Sequence, residues 1–291
     1  MKSKNLILVF LLSLTILSCT KEDNGSPISS DDAKVSAKFD AMNDDVSGIV
    51  EEQETSTYTN STLGKNGVDL PVSELTSCAT ITRVPAYGTP PTVGQPVTKT
   101  IDFGSSCTLD SGNVVSGIIT ITFVYEPNAT SHTINYSFNN FTHNGIAFNG
   151  DRTFTRTMIT TTANPTPHPQ VTMTMDLTAN FPNLGTYRRV GGRVREIVEG
   201  YGNSILADNV YKITGSWDTI TPSGATQTST ITTPLSVKMS CMAVNKPLLV
   251  SGIITIVRNT ASATLDFGDG TCDNLAVFTL NGNSYNIVIG N

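Results

Sequence analysis

Four side chains with hard oxygen donors lie within nine residues, at Asp266, Asp269, Asp273 and Asn274. Carboxylate and amide oxygens are the ligands that Ca²⁺ prefers, so this stretch is a candidate calcium site. Aspartate and glycine are also the ordinary residues of tight turns, where a carboxylate accepts hydrogen bonds from nearby amides. The turn is the simpler interpretation, and calcium is the only cofactor that the sequence suggests.

Four arginines flank Gly191-Gly192, at Arg188, Arg189, Arg193 and Arg195. Adjacent glycines predict a two-residue hairpin loop, which would place Arg188 opposite Arg195 on neighbouring strands. Like charges in that position repel each other unless water or a shared anion separates them. The cluster is therefore either a solvated hairpin whose charges discourage edge-to-edge association, or a site for a phosphate or a sulfated glycan.

The other polar motifs do not favour catalysis. His132, His143 and His168 lack metal-ligand spacing, and the sequence contains no HExxH, GxSxG, P-loop or CxxC motif. Trp217 is the one tryptophan, either a core residue or a platform for a sugar. Thr219 follows an aspartate in a pattern that resembles the O-glycosylation acceptor of Bacteroidota. Enzymatic activity stays open, but nothing in the sequence supports it.

Five cysteines are present, and an internal repeat relates four of them. Four cysteines allow three pairings. Two segments repeat at an offset of about 164 residues, and each carries a Thr-(Ile/Leu)-Asp-Phe-Gly string before its second cysteine. The repeat favours two disulfide-closed hairpins, Cys78–Cys107 and Cys241–Cys272, formed in an oxidising compartment.

The first residues carry a targeting signal. Residues 1–18 resemble a bacterial lipoprotein signal peptide, because their apolar run is too short to span a bilayer and precedes Cys19. Cys19 would carry the lipid, and Lys21, Glu22 and Asp23 resemble the surface-export signal of Bacteroidota lipoproteins. The resemblance implies attachment to the outer membrane through the lipid, with the protein facing the cell exterior. Residues 19–30 are predicted to form a flexible tether.

Hydrophobic periodicity divides the rest of the chain into a helix and a β domain. Residues 31–54 predict an amphipathic helix, with aspartates on one face and an apolar stripe on the other, formed by Val35, Phe39, Met42, Val46 and Ile49. Residues 56–291 alternate apolar residues with threonine or aspartate, as strands with one dry face do. The predicted fold is mainly β: a large antiparallel meander, barrel-like or sandwich-shaped, whose concave face covers the helix.

Charge and resemblance limit the function classes. The net charge of −6 and the pI of about 5.0 argue against a nucleic-acid partner. The leader, the paired C…DFG…C units and the strand-rich middle around residues 149–153 resemble a group of uncharacterised Bacteroidota surface lipoproteins, which implies a location but no activity. We therefore carry three hypotheses. The first is a non-catalytic module that binds glycan, a surface protein or envelope material. The others are a carrier of lipid or another apolar ligand, and a polysaccharide hydrolase.

Overall fold

The computed structural model describes residues 28–59, 75, 77–162, 164–203 and 205–289. This part of the chain contains one long helix, α1 (Ser30–Thr59), and fourteen strands. The strands are β1 (Thr80–Val84), β2 (Pro96–Asp102), β3 (Cys107–Thr108), β4 (Val114–Val124), β5 (Ser131–His143), β6 (Ile146–Ile159), β7 (His168–Phe181), β8 (Gly185–Glu199), β9 (Val210–Ile220), β10 (Thr226–Lys238), β11 (Leu249–Arg258), β12 (Ala261–Asp269), β13 (Leu275–Leu280) and β14 (Asn283–Val288). Short 3₁₀ helices lie at Leu206–Asp208 and Met239–Val244.

All fourteen strands belong to one antiparallel sheet, and neighbours in the sheet are neighbours in sequence except that the short β3 pairs with β4 beside β2. The meander predicted from the sequence is therefore confirmed. β1 and β14 lie at opposite ends of the strand order and do not pair within the described residues, so the sheet is open. Tight turns such as Asn144-Gly145 and Asn281-Gly282 join several strands, and all four of these residues have positive φ.

The predicted hairpin loop at Gly191-Gly192 is wrong. These glycines lie in the middle of β8, where Gly191 pairs with Met175 on one side and Trp217 on the other. A Cβ atom on Gly191 would lie 2.5 Å from the Cα and Cβ atoms of Trp217. Glycine is therefore required at position 191 because the neighbouring strand approaches too closely for a side chain. The local sequence does not distinguish this requirement from that of a turn.

Helix α1 is longer than the predicted residues 31–54 and begins with a capping box. The Ser29 backbone N–H donates to Asp32 Oδ2 at 2.8 Å, and the Asp32 backbone N–H donates to Ser29 Oγ at 3.3 Å. The predicted apolar stripe of Val35, Phe39, Met42, Val46 and Ile49 is fully buried, as expected. The opposite face is also buried, at Asp32, Asp40, Asp44 and Asp45. Because one helix face cannot shield the others, the sheet must surround α1.

Two apolar clusters divide the interior. One joins the stripe of α1 to inward-facing residues of β2 to β8, and the other joins Ala33 and Ala37 to residues of β8 to β14. The small alanines let the helix backbone come within 8 Å of β13 and β14. Since both halves of the sheet cover the same helix, the open sheet curves around α1 and encloses it on its concave face.

Candidate functional site

The concave face holds α1 through buried charges as well as through apolar packing. Asp40 is the centre of this contact. It accepts a hydrogen bond from Arg189 Nη1 at 2.7 Å and a second hydrogen bond from Arg193 Nη2. All three side chains are at most 1% exposed. One carboxylate therefore faces two buried cations from β8, and burial lowers the pKa of Arg189 to about 10.

Aromatic rings complete the surroundings of these arginines. Trp217 of β9 lies against both guanidinium groups, 4.7 Å from Arg189 and 4.1 Å from Arg193 measured to the ring centroid. Phe39 of α1 faces Arg189 at 4.3 Å. The delocalised charge of arginine suits such ring contacts in a desolvated site. Trp217 is therefore a core residue at the junction of helix and sheet, and its 2% exposure leaves no platform for a sugar.

Further polar pairs follow α1 along its length, and we call the whole set, including the contacts of Asp40, the charge ladder. On the helix its members are Asp32, Asp40, Asn43, Asp45, Glu51, Gln53 and Glu54. The pairs are Asp32 with Arg258, Asp40 with Arg189 and Arg193, Asn43 with Arg152, Asp45 with His143, Glu51 with Arg195, Gln53 with Lys99, and Glu54 with His132. Four of the distances are 2.7 Å for Asp32–Arg258, 2.8 Å for Asp45–His143, 3.0 Å for Glu51–Arg195 and 2.7 Å for Glu54–His132. The acidic face of α1 is therefore matched by basic groups from both halves of the sheet.

Asp44 lies on the same face of α1 as Asp40, but hydrogen bonds do not satisfy its carboxylate fully. It is buried, and no hydrogen-bond partner is present for its Oδ2 atom within the described residues. Burial raises the pKa of Asp44 to about 7, against the opposing effect of Arg193 and Arg195, while Asp40 and Asp45 raise it further. A cavity of about 10 Å³ adjoins Asp44, Ser47, Glu51 and the two arginines. That volume holds about one water molecule, far too little for a lipid.

The predicted arginine cluster divides between two faces of the sheet. Arg189, Arg193 and Arg195 point inward to α1, and the anions that they contact are the chain's own carboxylates. Arg188 points outward and makes a bidentate ion pair with Asp176, in which Nε donates to Oδ1 at 2.8 Å and Nη2 donates to Oδ2 at 2.6 Å. Because all four arginines lie on one strand, neither the expected solvated hairpin nor an arginine pair opposed across strands exists.

The candidate calcium ligands lie in the last part of β12 and in the connection that follows it, and the three aspartates accept hydrogen bonds from nearby amides. Asp266 Oδ1 accepts from the N–H of Gly268, Asp269 Oδ1 from Thr271, and Asp273 Oδ1 from Leu275. Asn274 accepts the N–H of Ile289 through its backbone oxygen. No group of three or more His, Cys, Asp or Glu side chains in the described ranges is arranged to hold a metal ion. The geometry is that of Asx turns, and calcium stays a prediction without structural support.

Both predicted disulfides are confirmed. Cys78 is bonded to Cys107 and Cys241 to Cys272, with Cα atoms 5.5 and 5.4 Å apart. The internal repeat was therefore a correct guide to the pairing.

Two other site predictions have different outcomes. Thr219 lies on the inward face of β9 with 0% exposure, and burial of its hydroxyl is incompatible with a glycan on the folded domain. Cys19, the predicted site of lipidation, and Lys21, Glu22 and Asp23, the predicted export signal, lie outside the described residues.

The convex face presents a row of small uncharged residues that crosses the sheet, and all but Gly192 carry a polar side chain. Directly paired positions on twelve strands, from β2 through β4 to β14, are Thr98, Thr122, Asn135, Thr153, Thr174, Gly192, Ser216, Thr230, Thr255, Thr264, Thr279 and Ser284. All are exposed or half-exposed, and none is charged. We call this set the hydroxyl row. At about 4.8 Å per strand it extends over about 50 Å.

The sequence analysis missed the buried charges, although a signal for them exists. Arg189, Arg193 and Arg195 are separated by even numbers of residues, so they share one face of a strand. On α1 the polar residues Asp32, Ser36, Asp40, Asp44 and Ser47 recur at intervals of three or four, so they share one face of a helix. Two such stripes of opposite charge are complementary, but their pairing joins residues up to 153 positions apart.

Comparisons with protein-family models, with curated proteins and with solved structures find no match. Within the described residues, α1 lacks the apolar stretch that would let a helix cross a membrane. Function must therefore be argued from the geometry of this chain.

Proposed function

We propose that this protein is a lipid-anchored, outward-facing protein of the outer membrane that acts as a non-catalytic binding module, with the convex face of its sheet as the binding surface. The ligand class that we favour is a glycan. The observation that carries the proposal is the hydroxyl row, an uncharged polar strip that continues from strand to strand over most of the sheet. The lipoprotein leader supports the location.

Glycan chemistry suits this strip. Each threonine or serine hydroxyl can donate one hydrogen bond and accept others, as can each hydroxyl of a sugar. Repetition at the spacing of the strands would offer an extended chain many equivalent contacts, each weak by itself. Short side chains such as Thr153 and Thr174 also lose little conformational entropy when a ligand covers them.

The concave face supports a structural role rather than a carrier role. Ligand pockets for small molecules usually enclose about 300–1,000 Å³. The space beside Asp44 is about 10 Å³, and α1 occupies the concavity that an apolar ligand would need. A carrier would have to expel α1 and leave Arg189, Arg193 and Arg258 without their carboxylates, which is costly in a buried site.

The hydrolase hypothesis would need two carboxylates with different protonation states. Asp151 and Asp176 are direct partners on β6 and β7, and both lie exposed on the convex face. The hydrogen bond from Arg188 lowers the pKa of Asp176, whereas a general acid needs a raised pKa. This pair is therefore poorly suited to glycoside hydrolysis.

A binding assay with paired substitutions tests the proposal. The protein is incubated with insoluble polysaccharides (cellulose, chitin and peptidoglycan sacculi) and with a soluble glycan array. Changing Thr153, Thr174 and Thr230 together to valine removes three hydroxyls but keeps the branched shape, whereas changing them to serine keeps the hydroxyls. We expect at least a tenfold loss of affinity for the valine variant and retention for the serine variant.

Two results would overturn the binding proposal. One is the absence of binding to every probe, and the other is equal binding by the valine variant. Reproducible turnover of a glycan that is lost in Asp176→Asn would replace the module with an enzyme. The location has its own test: changing residues 21–23 to alanine should leave lipidation intact and abolish digestion by external protease.

A further inference from the structure

β14 is an edge strand whose outer side has no partner within the described residues. It pairs with β13 alone, in a regular register from Asn283–Leu280 to Val288–Leu275. Asn283, Ser284, Tyr285, Asn286 and Val288 are all exposed, and Tyr285 and Val288 are about half so. An exposed edge presents a row of backbone donors and acceptors with which another extended strand can pair.

The phase of hydrogen bonding along β14 identifies which backbone groups face outward. The N–H of Ile289 donates to Asn274 O at 3.0 Å, on the β13 side. Alternate residues of a strand direct their backbone groups to the same side, so those of Ile287 and Tyr285 also face β13. The N–H and C=O groups of Ser284, Asn286 and Val288 therefore face the free edge.

This edge lacks the devices by which proteins usually discourage strand addition. β14 contains no charged residue, no proline and no bulge. The opposite edge, β1, has such devices. It contains Arg83, whose guanidinium donates to the carbonyl oxygens of Pro85, Ala86 and Thr89, and a proline, Pro85, follows the last residue of the strand. Only one of the two edges is therefore chemically open to pairing.

We propose that β14 pairs antiparallel with β14 of a second copy of this chain, which makes one sheet continuous across a two-fold axis. The register that uses every outward group places Asn286 opposite itself and Ser284 opposite Val288 of the second copy. This pairing makes six backbone hydrogen bonds, because each outward residue of each copy donates one.

The side chains of β14 are self-complementary in this register. On the concave side, Tyr285 lies opposite Ile287 of the second copy, and aromatic–β-branched pairs are favourable across strands. The half-exposed ring of Tyr285 would thereby be covered. On the convex side, Leu275, Val277 and Val288 form an exposed apolar group at the edge, and the second copy would extend it across the axis. A two-fold pairing closes after two copies, since it consumes the same edge of each chain.

Cysteine cross-linking tests both the pairing and its register. The experiment uses residues 20–291, which contain every described element and lack Cys19, with the four remaining cysteines in their native disulfides. Residues opposite each other in a hydrogen-bonded pair have Cα atoms about 5.5 Å apart, within the range that a disulfide spans. Under mild oxidation Asn286→Cys should form a covalent dimer. Ser284→Cys should not, because two such residues would be separated along the strand.

A proline variant tests the hydrogen bonds themselves. Asn286→Pro removes an N–H that faces the free edge and leaves the bonds between β13 and β14 in place. We expect the protein to sediment as a dimer at micromolar concentration, and Asn286→Pro to sediment as a monomer with unchanged Trp217 fluorescence. The matched control is Ile81→Pro on β1, because the N–H of Ile81 also faces a free edge, and this variant should remain dimeric. A monomeric parent protein, a dimer that persists in Asn286→Pro, or equal cross-linking of both cysteine variants would overturn the proposal.

Discussion

Replacing Asp40 by asparagine is the substitution that tests the charge ladder most severely. The change keeps the size of the side chain but leaves Arg189 and Arg193 without the carboxylate that both contact. Removing one partner of a buried ion pair typically costs about 3–5 kcal/mol, because the other charge stays desolvated. In a domain of this size, each kcal/mol lowers Tm by about 2–4 °C, so we expect a fall of about 6–20 °C.

The chain provides its own probe and control for this experiment. Trp217 is the one tryptophan and lies against both arginines, so its fluorescence reports directly on the altered junction during urea unfolding. Asp31→Asn is the matched control on the same helix, since Asp31 is half-exposed and its pair with Lys34 is worth about 0–1 kcal/mol.

A third variant separates the charge from the packing. Changing Asp40 to leucine together with Arg189 and Arg193 to methionine removes the whole buried group, and we expect it to recover most of the lost stability. Our account of α1 would be refuted if Asp40→Asn unfolded within 1 kcal/mol of the parent protein, as the control is expected to do.

Three further predictions follow from individual contacts. The Asp44 carboxyl ionises near pH 4 in the unfolded chain but near pH 7 in the folded protein, so its ionisation destabilises the fold increasingly between these pH values, by at most about 4 kcal/mol. Asp44→Asn removes this destabilisation, so the variant should be more stable than the parent protein at pH 8 by up to that amount but not at pH 4, measured as the free energy of unfolding. Equal effects of the substitution at both pH values would contradict the raised pKa of Asp44. Replacing Cys78 and Cys107 together by serine should cost about 3–4 kcal/mol, since the disulfide closes a loop with a sequence separation of 29, and an unchanged urea midpoint would argue against this estimate. Gly191→Ala should destabilise the sheet more than Gly202→Ala, because only the first new methyl group meets neighbouring backbone, and a thermal melt compares them.

The strand pattern was readable because threonine alternates with apolar residues over long stretches. All fourteen strands lie within the predicted β domain, residues 56–291, and long strands such as β7 and β11 alternate buried and more exposed positions. Alternation records that one face of each strand is wet and the other dry, which is a local property. The disulfides were also predictable, because the repeat preserves their spacing.

The position of the charged residues was not predictable from the same pattern. Periodicity shows that Asp40 and Asp44 share a helix face, but not whether water or arginine covers that face. The answer depends on contacts such as Asp40–Arg189, which join residues 149 positions apart. Gly191-Gly192 was misread for the same reason, since the requirement for glycine comes from the backbone of β9 rather than from its own strand.

Hydrogen exchange of α1 tests the central claim most directly, namely that the concave face is filled permanently by the chain's own helix and that binding is left to the convex face. Amides in the buried part of α1, residues 33–54, should exchange only through global unfolding, at the rate of the slowest amides in β6 to β8. Exchange of the helix that is clearly faster than that of these strands would contradict the claim. It would mean that α1 leaves the sheet in the native state and exposes an arginine-lined concavity to ligands.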